Sequence, residues 1–169
     1  MNTALTTAIN QTMQDMVQVF SSFTQQQIDT IPFAGSWTAG QTGEHIIKSI
    51  GNLPEFLNSN TAATNHRPFD ENVATLQHIF LDFSTKMQSP EFIRPSATHH
   101  DKAEMLESFS NLKTQMITTA ETLDLTLTCK SFEMPGLGFL TRMEWLNFFV
   151  VHTQRHTHQL KNIYKVLNA

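Results

Sequence analysis

Apolar side chains return at steps of three and four through residues 2–23, where Leu5, Ile9, Met13, Met16, Phe20 and Phe23 are separated by Thr, Gln, Asn and Ser. That period matches the turn of an α-helix, so the stretch predicts an amphipathic helix with a weakly charged outer face. Residues 24–36 hold Pro32 and Gly35 and predict a connection, with one short turn at residues 24–27. A second helix opens at Thr38. Thr38 and Gln41 have the spacing of a capping box, in which the hydroxyl accepts from the amide three residues on and the Gln side chain reaches back. Gly40, Gly43 and Gly51 weaken this helix intrinsically, so packing must support it, and Pro54 kinks or ends it.

Residues 58–72 are polar and turn-rich, which predicts a loop with His66 exposed. Val73, Leu76, Ile79, Phe80 and Phe83 predict a helix of about three turns lying across the others. Pro90 and Pro95 mark another connection. His99 and His100 within it are adjacent, too poorly placed to chelate one ion together, and are expected to be solvated. Leu106, Phe109, Leu112, Met116, Ala120 and Leu123 give the third long helix its buried stripe over residues 101–124. Residues 125–138 read as irregular. From Thr141 onward no proline or glycine interrupts the chain, and Thr141 with Glu144 forms a second capping box. No stretch alternates long enough to predict a sheet. The expected class is all-α, a four-helix bundle in which sites form between facing helices.

The last helix carries the candidate chemistry. At about 100° per residue, Trp145, Phe148, Phe149, His152, His156, Gln159, Leu160 and Ile163 fall on one stripe. Two imidazoles one turn apart thus sit in an apolar face. Buried imidazoles need partners for their ring nitrogens, and either a metal ion or neighbouring hydrogen-bonding groups would serve. The spacing alone leaves both open. His158 lies about 200° around the helix from His156, which predicts a solvated residue. On the second helix His45 shares a face with Gln41, Thr42, Ser49, Asn52 and Phe56, whereas Glu44 lies about 100° away and is a doubtful general base. Cys129 has no histidine at a telling spacing and is expected to be a buried, inert thiol. Gln159 is expected to orient a ligand, to bind substrate or to make a core hydrogen bond. Trp37 is expected to clamp the start of the second helix or to line a pocket.

Bulk numbers narrow the classes. A chain of 169 residues, 40% of them hydrophobic, suits one domain over 1–169. No apolar run approaches a membrane span, and MNTALTTAINQTMQDMV lacks the basic and apolar blocks of a secretory signal. A single cysteine fits a reducing compartment, so a cytoplasmic location is expected. The net charge is −4 without a Lys/Arg cluster, so neither nucleic acid nor membrane is an expected partner. A small-molecule substrate is expected, with a homodimer left open.

Two motifs carry a family likeness. IPFAGSWTAGQTGEHIIKS, with Trp37 ahead of the helix and His45 eight residues later, resembles the second-helix motif of the DinB/YfiT-like superfamily. LTRMEWLNFFVVHTQRHTHQLKNI resembles its last-helix motif, His-x-x-x-His-x-x-Gln, and order and spacing agree over essentially the whole chain. The resemblance implies an up-down-down-up bundle holding one divalent metal, zinc or nickel, on His45, His152 and His156. Similar proteins include thiol-dependent transferases and metal-dependent hydrolases, so a low-molecular-weight thiol is a second implied cofactor. Three imidazoles leave a fourth position open on the ion, as catalytic zinc sites do. Because two helices supply the whole set, the open side is expected to face the other two. Thr153 stands where a zinc peptidase needs its glutamate, which disfavours that class. The competing class is a non-catalytic bundle that the metal staples together.

Overall fold

The computed structural model describes residues 3–169. Helix α1 (Thr3–Ser21) buries Leu5, Ile9, Met13, Met16 and Phe20, the stripe that the periodicity predicts; position 2 lies outside the described residues. Thr24 then caps a single-turn helix, α2 (Gln25–Ile28), through a complete capping box. Helix α3 (Ala39–Ile50) starts after Thr38. There the Gln41 amide donates to the Thr38 hydroxyl at 3.1 Å, and the Thr38 amide donates to the Gln41 side-chain oxygen at 3.0 Å. The helix ends three residues ahead of Leu53. The chain resumes as α4 (Leu53–Asn58), with Pro54 in a first turn where its missing N–H leaves no bond unmade.

Strand β1 (Thr61–Ala62) pairs antiparallel with β2 (Thr128–Cys129), Thr61 opposite Cys129. A two-residue ladder is too short to register as alternation, which is why the sequence shows no sheet. Helix α5 (Val73–Phe80) is shorter than predicted and stops before Phe83. The Asp82 carboxylate accepts from the Ser84 amide and from the hydroxyls of Ser84 and Thr85, a local alternative to another helical turn. A 3-10 turn at Glu91–Ile93 precedes α6 (Lys102–Thr122), which is capped by Asp101, and α7 (Arg142–Leu167) follows β2.

The protein is all-α apart from the short ladder. Helices α1 and α3 each pack against both α6 and α7, while α5 lies on α7. Phe20 of α1 meets Phe109 of α6 edge-on at 5.1 Å within the shared core. No helix among the described residues is long and apolar enough to cross a membrane.

The glycines of α3 serve this packing. A Cβ at Gly43 would stand 2.5 Å from Met105 Cε and 3.0 Å from Phe109 Cζ. At Gly40 it would lie 2.7 Å from the His100 ring and 2.9 Å from Ile28. That ring cannot easily retreat, because its nitrogens contact Asp29 at 2.6 Å and Glu44 at 3.1 Å. Gly40→Ala is therefore expected to cost about 1–3 kcal/mol in overpacking, against a helix-propensity gain of about 1 kcal/mol or less. A urea midpoint at or above that of the unaltered protein would show that the ring gives way.

At the start of α7 Glu144 is fully buried. Its two oxygens accept from both terminal nitrogens of Arg67, at 2.5 and 2.7 Å, and from the amides of Asn72 and Thr141, each at 2.8 Å. Beside it Arg142 donates to the carbonyls of Leu57 and Asp124. The last helix is thus anchored at its start to the ends of α4 and α6 and to the 60s loop.

Candidate metal centre

Two capped helices bring three imidazoles to one point. His45 lies two turns into α3, His152 and His156 lie mid-way along α7, and all three are buried. The Nε2 atom of His152 stands 3.1 Å from Nε2 of His45 and 3.1 Å from Nε2 of His156. The outer nitrogens of the other two rings are already committed. His45 Nδ1–H donates to the Ile93 carbonyl at 2.9 Å, and His156 Nδ1–H donates to the Gln159 side-chain oxygen at 2.9 Å. A carbonyl oxygen can only accept, so these bonds fix the tautomers and leave both Nε2 lone pairs aimed at the shared centre. His152 Nδ1, enclosed near Phe148 and Phe80, has no hydrogen-bond partner among the described residues.

The surroundings keep the rings neutral. Burial holds His45 below the ordinary imidazole range, assisted by the charge of Lys48. Burial lowers His152 far more, and the neighbouring imidazoles add to it. His156 is lowered to about 3, by burial first and then by His45. Neutral imidazole is the form that ligates a metal. An ion about 2.0–2.1 Å from each nitrogen sets tetrahedral ligand atoms roughly 3.3 Å apart. The donor set and the observed 3.1 Å separations are therefore compatible with metal binding, and the three ligand atoms all lie within 4.8 Å of one another.

A family model described as the DinB superfamily matches residues 8–160. The chain belongs to the DinB superfamily. No curated protein and no solved structure matches it. In this DinB-superfamily chain the triad opens into a cleft of about 1610 Å³. Supply of the triad from two helices predicts an opening toward the other two long helices, but the cleft opens elsewhere. No residue of α1 or α6 lines the cleft; residues 80–95 and 131–135 do, together with α3, α4 and α7. The core between the long helices is filled by Met and Phe, so the space falls on the flank.

The remaining candidates separate cleanly. Trp37 does line the cleft, its ring 5.1 Å from that of His45 and stacked against His156 at 6.4 Å. Gln159 orients His156. Glu44 turns away from the triad to Lys48, Ser96 and His100, so it is no base for this site. Cys129 is fully buried, and burial pushes its thiol up to about 11. His66 is exposed. His158 is exposed too, stacked on Phe83 at 4.1 Å and outside the triad.

The reading of His100 is overturned as well. His99 is exposed, 2.7 Å from Asp29, but His100 is buried between Asp29 and Glu44 rather than solvated. Adjacency ruled out a shared ion, yet said nothing of burial. Residues 71 and 56 positions away supply both carboxylates. Ile93 is the further contributor that sequence reasoning misses, since it acts through its carbonyl and leaves no side-chain signal.

Proposed function

We propose that His45, His152 and His156 hold one divalent metal ion, zinc or nickel, and that the protein is a metal-dependent enzyme acting on a small molecule. The observation that supports this is the convergence of the three Nε2 atoms, with two rings oriented from behind by the Ile93 carbonyl and Gln159. Without a cation, lone pairs would face one another across 3.1 Å with at most a shared proton between them. An ion held there would lower the pKa of a water or thiol in contact with it and polarise a substrate. The chain's own residues orient the imidazoles and, through Trp37 and Phe148, keep water from two sides of them.

Of the two chemistries, thiol-dependent transfer is better supported than hydrolysis. No Asp or Glu is among the described residues lining the cleft, so no carboxylate is placed to deprotonate a water. A thiol, which ionises near neutrality beside a cation, needs no such base. The open cleft also speaks for turnover over a purely structural ion, whose site would be closed by a fourth protein ligand. The up-down-down-up helix order belongs to the same reading.

Metal content of His156→Ala and His158→Ala tests the assignment. After gel filtration the unaltered protein and His158→Ala are expected to retain about one equivalent of zinc, and His156→Ala almost none. Equal retention or equal loss in the two variants would sink it.

A further inference from the structure

We propose that the cleft beside the triad takes an organic anion with a bulky apolar body. The proposal deepens the reading above but rests on it only for the role of the triad. Three independent features of the cleft carry it.

The first is where exposed apolar side chains gather. Phe33, Phe83, Met87 and Phe92 are 57%, 46%, 38% and 69% exposed, and all four edge this one opening. Scattered exposed apolar residues need no explanation, but a cluster around the mouth of a cleft marks a surface that an apolar partner covers. The second is the wall behind the rim. Trp145 stands edge-on to Phe56 at 4.8 Å and to Phe148 at 5.5 Å, with Phe132 at 5.9 Å. Phe148 in turn stacks on His152 at 5.2 Å, so the aromatic surface runs directly to the triad.

The third is charge. Lys48, Lys86, Arg94 and Arg155 line the cleft with no carboxylate among the described lining residues, in a chain whose net charge is −4. Lys48 is met by Glu44 at 2.8 Å. Arg155 is fixed instead by the carbonyls of Phe80, Asp82 and Thr85, which are neutral and leave its charge available to the field of the cleft. A cleft of one sign with apolar walls concentrates counter-charged ligands. Cationic ligands are repelled, and small hydrophilic anions leave the aromatic wall wet.

Calorimetric titrations with 4-phenylbutyrate, butyrate and 4-phenylbutylamine test it, on chelator-treated and on zinc-loaded protein. Phenylbutyrate is expected to bind about tenfold or more tighter than butyrate, as burial of a phenyl ring requires. It is also expected to bind more tightly than the amine, whose body is the same. Phe132→Gln, in a connection rather than a helix, should erase most of the preference over butyrate. Phe92→Gln, at the exposed rim, should erase part of it. Equal affinity for phenylbutyrate and butyrate, or no binding of either, overturns the apolar body; an amine that binds as tightly overturns the anionic head. Failure of zinc to load would refute the metal reading, and the chelator-treated protein would still decide this one.

Discussion

Replacing Arg67 with methionine is expected to destabilise the protein by about 3–5 kcal/mol, the cost of stranding a buried charge. Glu144 is fully buried, and Arg67 supplies two of the four bonds that hold its carboxylate. Burial pushes this carboxyl up, yet Arg67, Thr141 and Asn72 together bring it below the usual range. Removing the guanidinium leaves the burial and takes away the largest opposing contribution. Denaturant unfolding measures the loss, and pairing Arg67→Met with Glu144→Gln should recover part of it, since a neutral amide costs less to bury. A loss under about 1 kcal/mol would place the pair among solvent-screened surface bridges.

Acidification supplies the second large effect. Metal-free protein should be fully stable above pH 6.5 and lose stability as the pH falls to 4.5. The triad's imidazoles are held below their ordinary range in the folded state, so the unfolded chain takes up their protons first. Wherever the unfolded state binds more protons, falling pH favours unfolding. His156, titrating at about 3, alone contributes roughly 2 kcal/mol over those two pH units. His45 and His152 act in the same direction. Glu44, lowered to about 2 although burial opposes it, and Glu144 join only below about pH 4.5, where unfolded carboxyls begin to protonate. Urea titrations at pH 7, 5.5 and 4.5 separate the two windows. A flat profile between 6.5 and 4.5 would mean that the triad already carries a proton at neutrality.

What could be read from the sequence was decided within a helical turn or two. The capping boxes at Thr38 and Thr141 close between residues three apart, and both form as their spacing requires. The stripe holding His152 and His156 is likewise a property of one helix. His45 joined them through the family likeness, because nothing local to α3 points across the fold to α7. The parts that were not legible depend on long loops closing in one way. Arg67 reaches Glu144 from 77 residues away, and His100 finds its carboxylates at comparable separations. The flank on which the cleft opens is hidden from the sequence for the same reason. Periodicity says which face of a helix is buried, but the course of residues 80–95 decides which flank stays uncovered.

The bond between Ile93 and His45 ties the doorway to the proton inventory of the centre. Phe92 stands at the mouth, and the next residue's carbonyl decides which nitrogen of His45 bears hydrogen. Both residues belong to the one 3-10 turn at Glu91–Ile93, so the turn that edges the cleft also keeps the His45 Nε2 lone pair free toward His152. Nitrogen-15 shifts of His45 in metal-free protein should place its hydrogen on Nδ1, and a hydrogen on Nε2 would disprove the assignment. A three-residue turn outside the long helices thus sets the protonation of a ring buried between them.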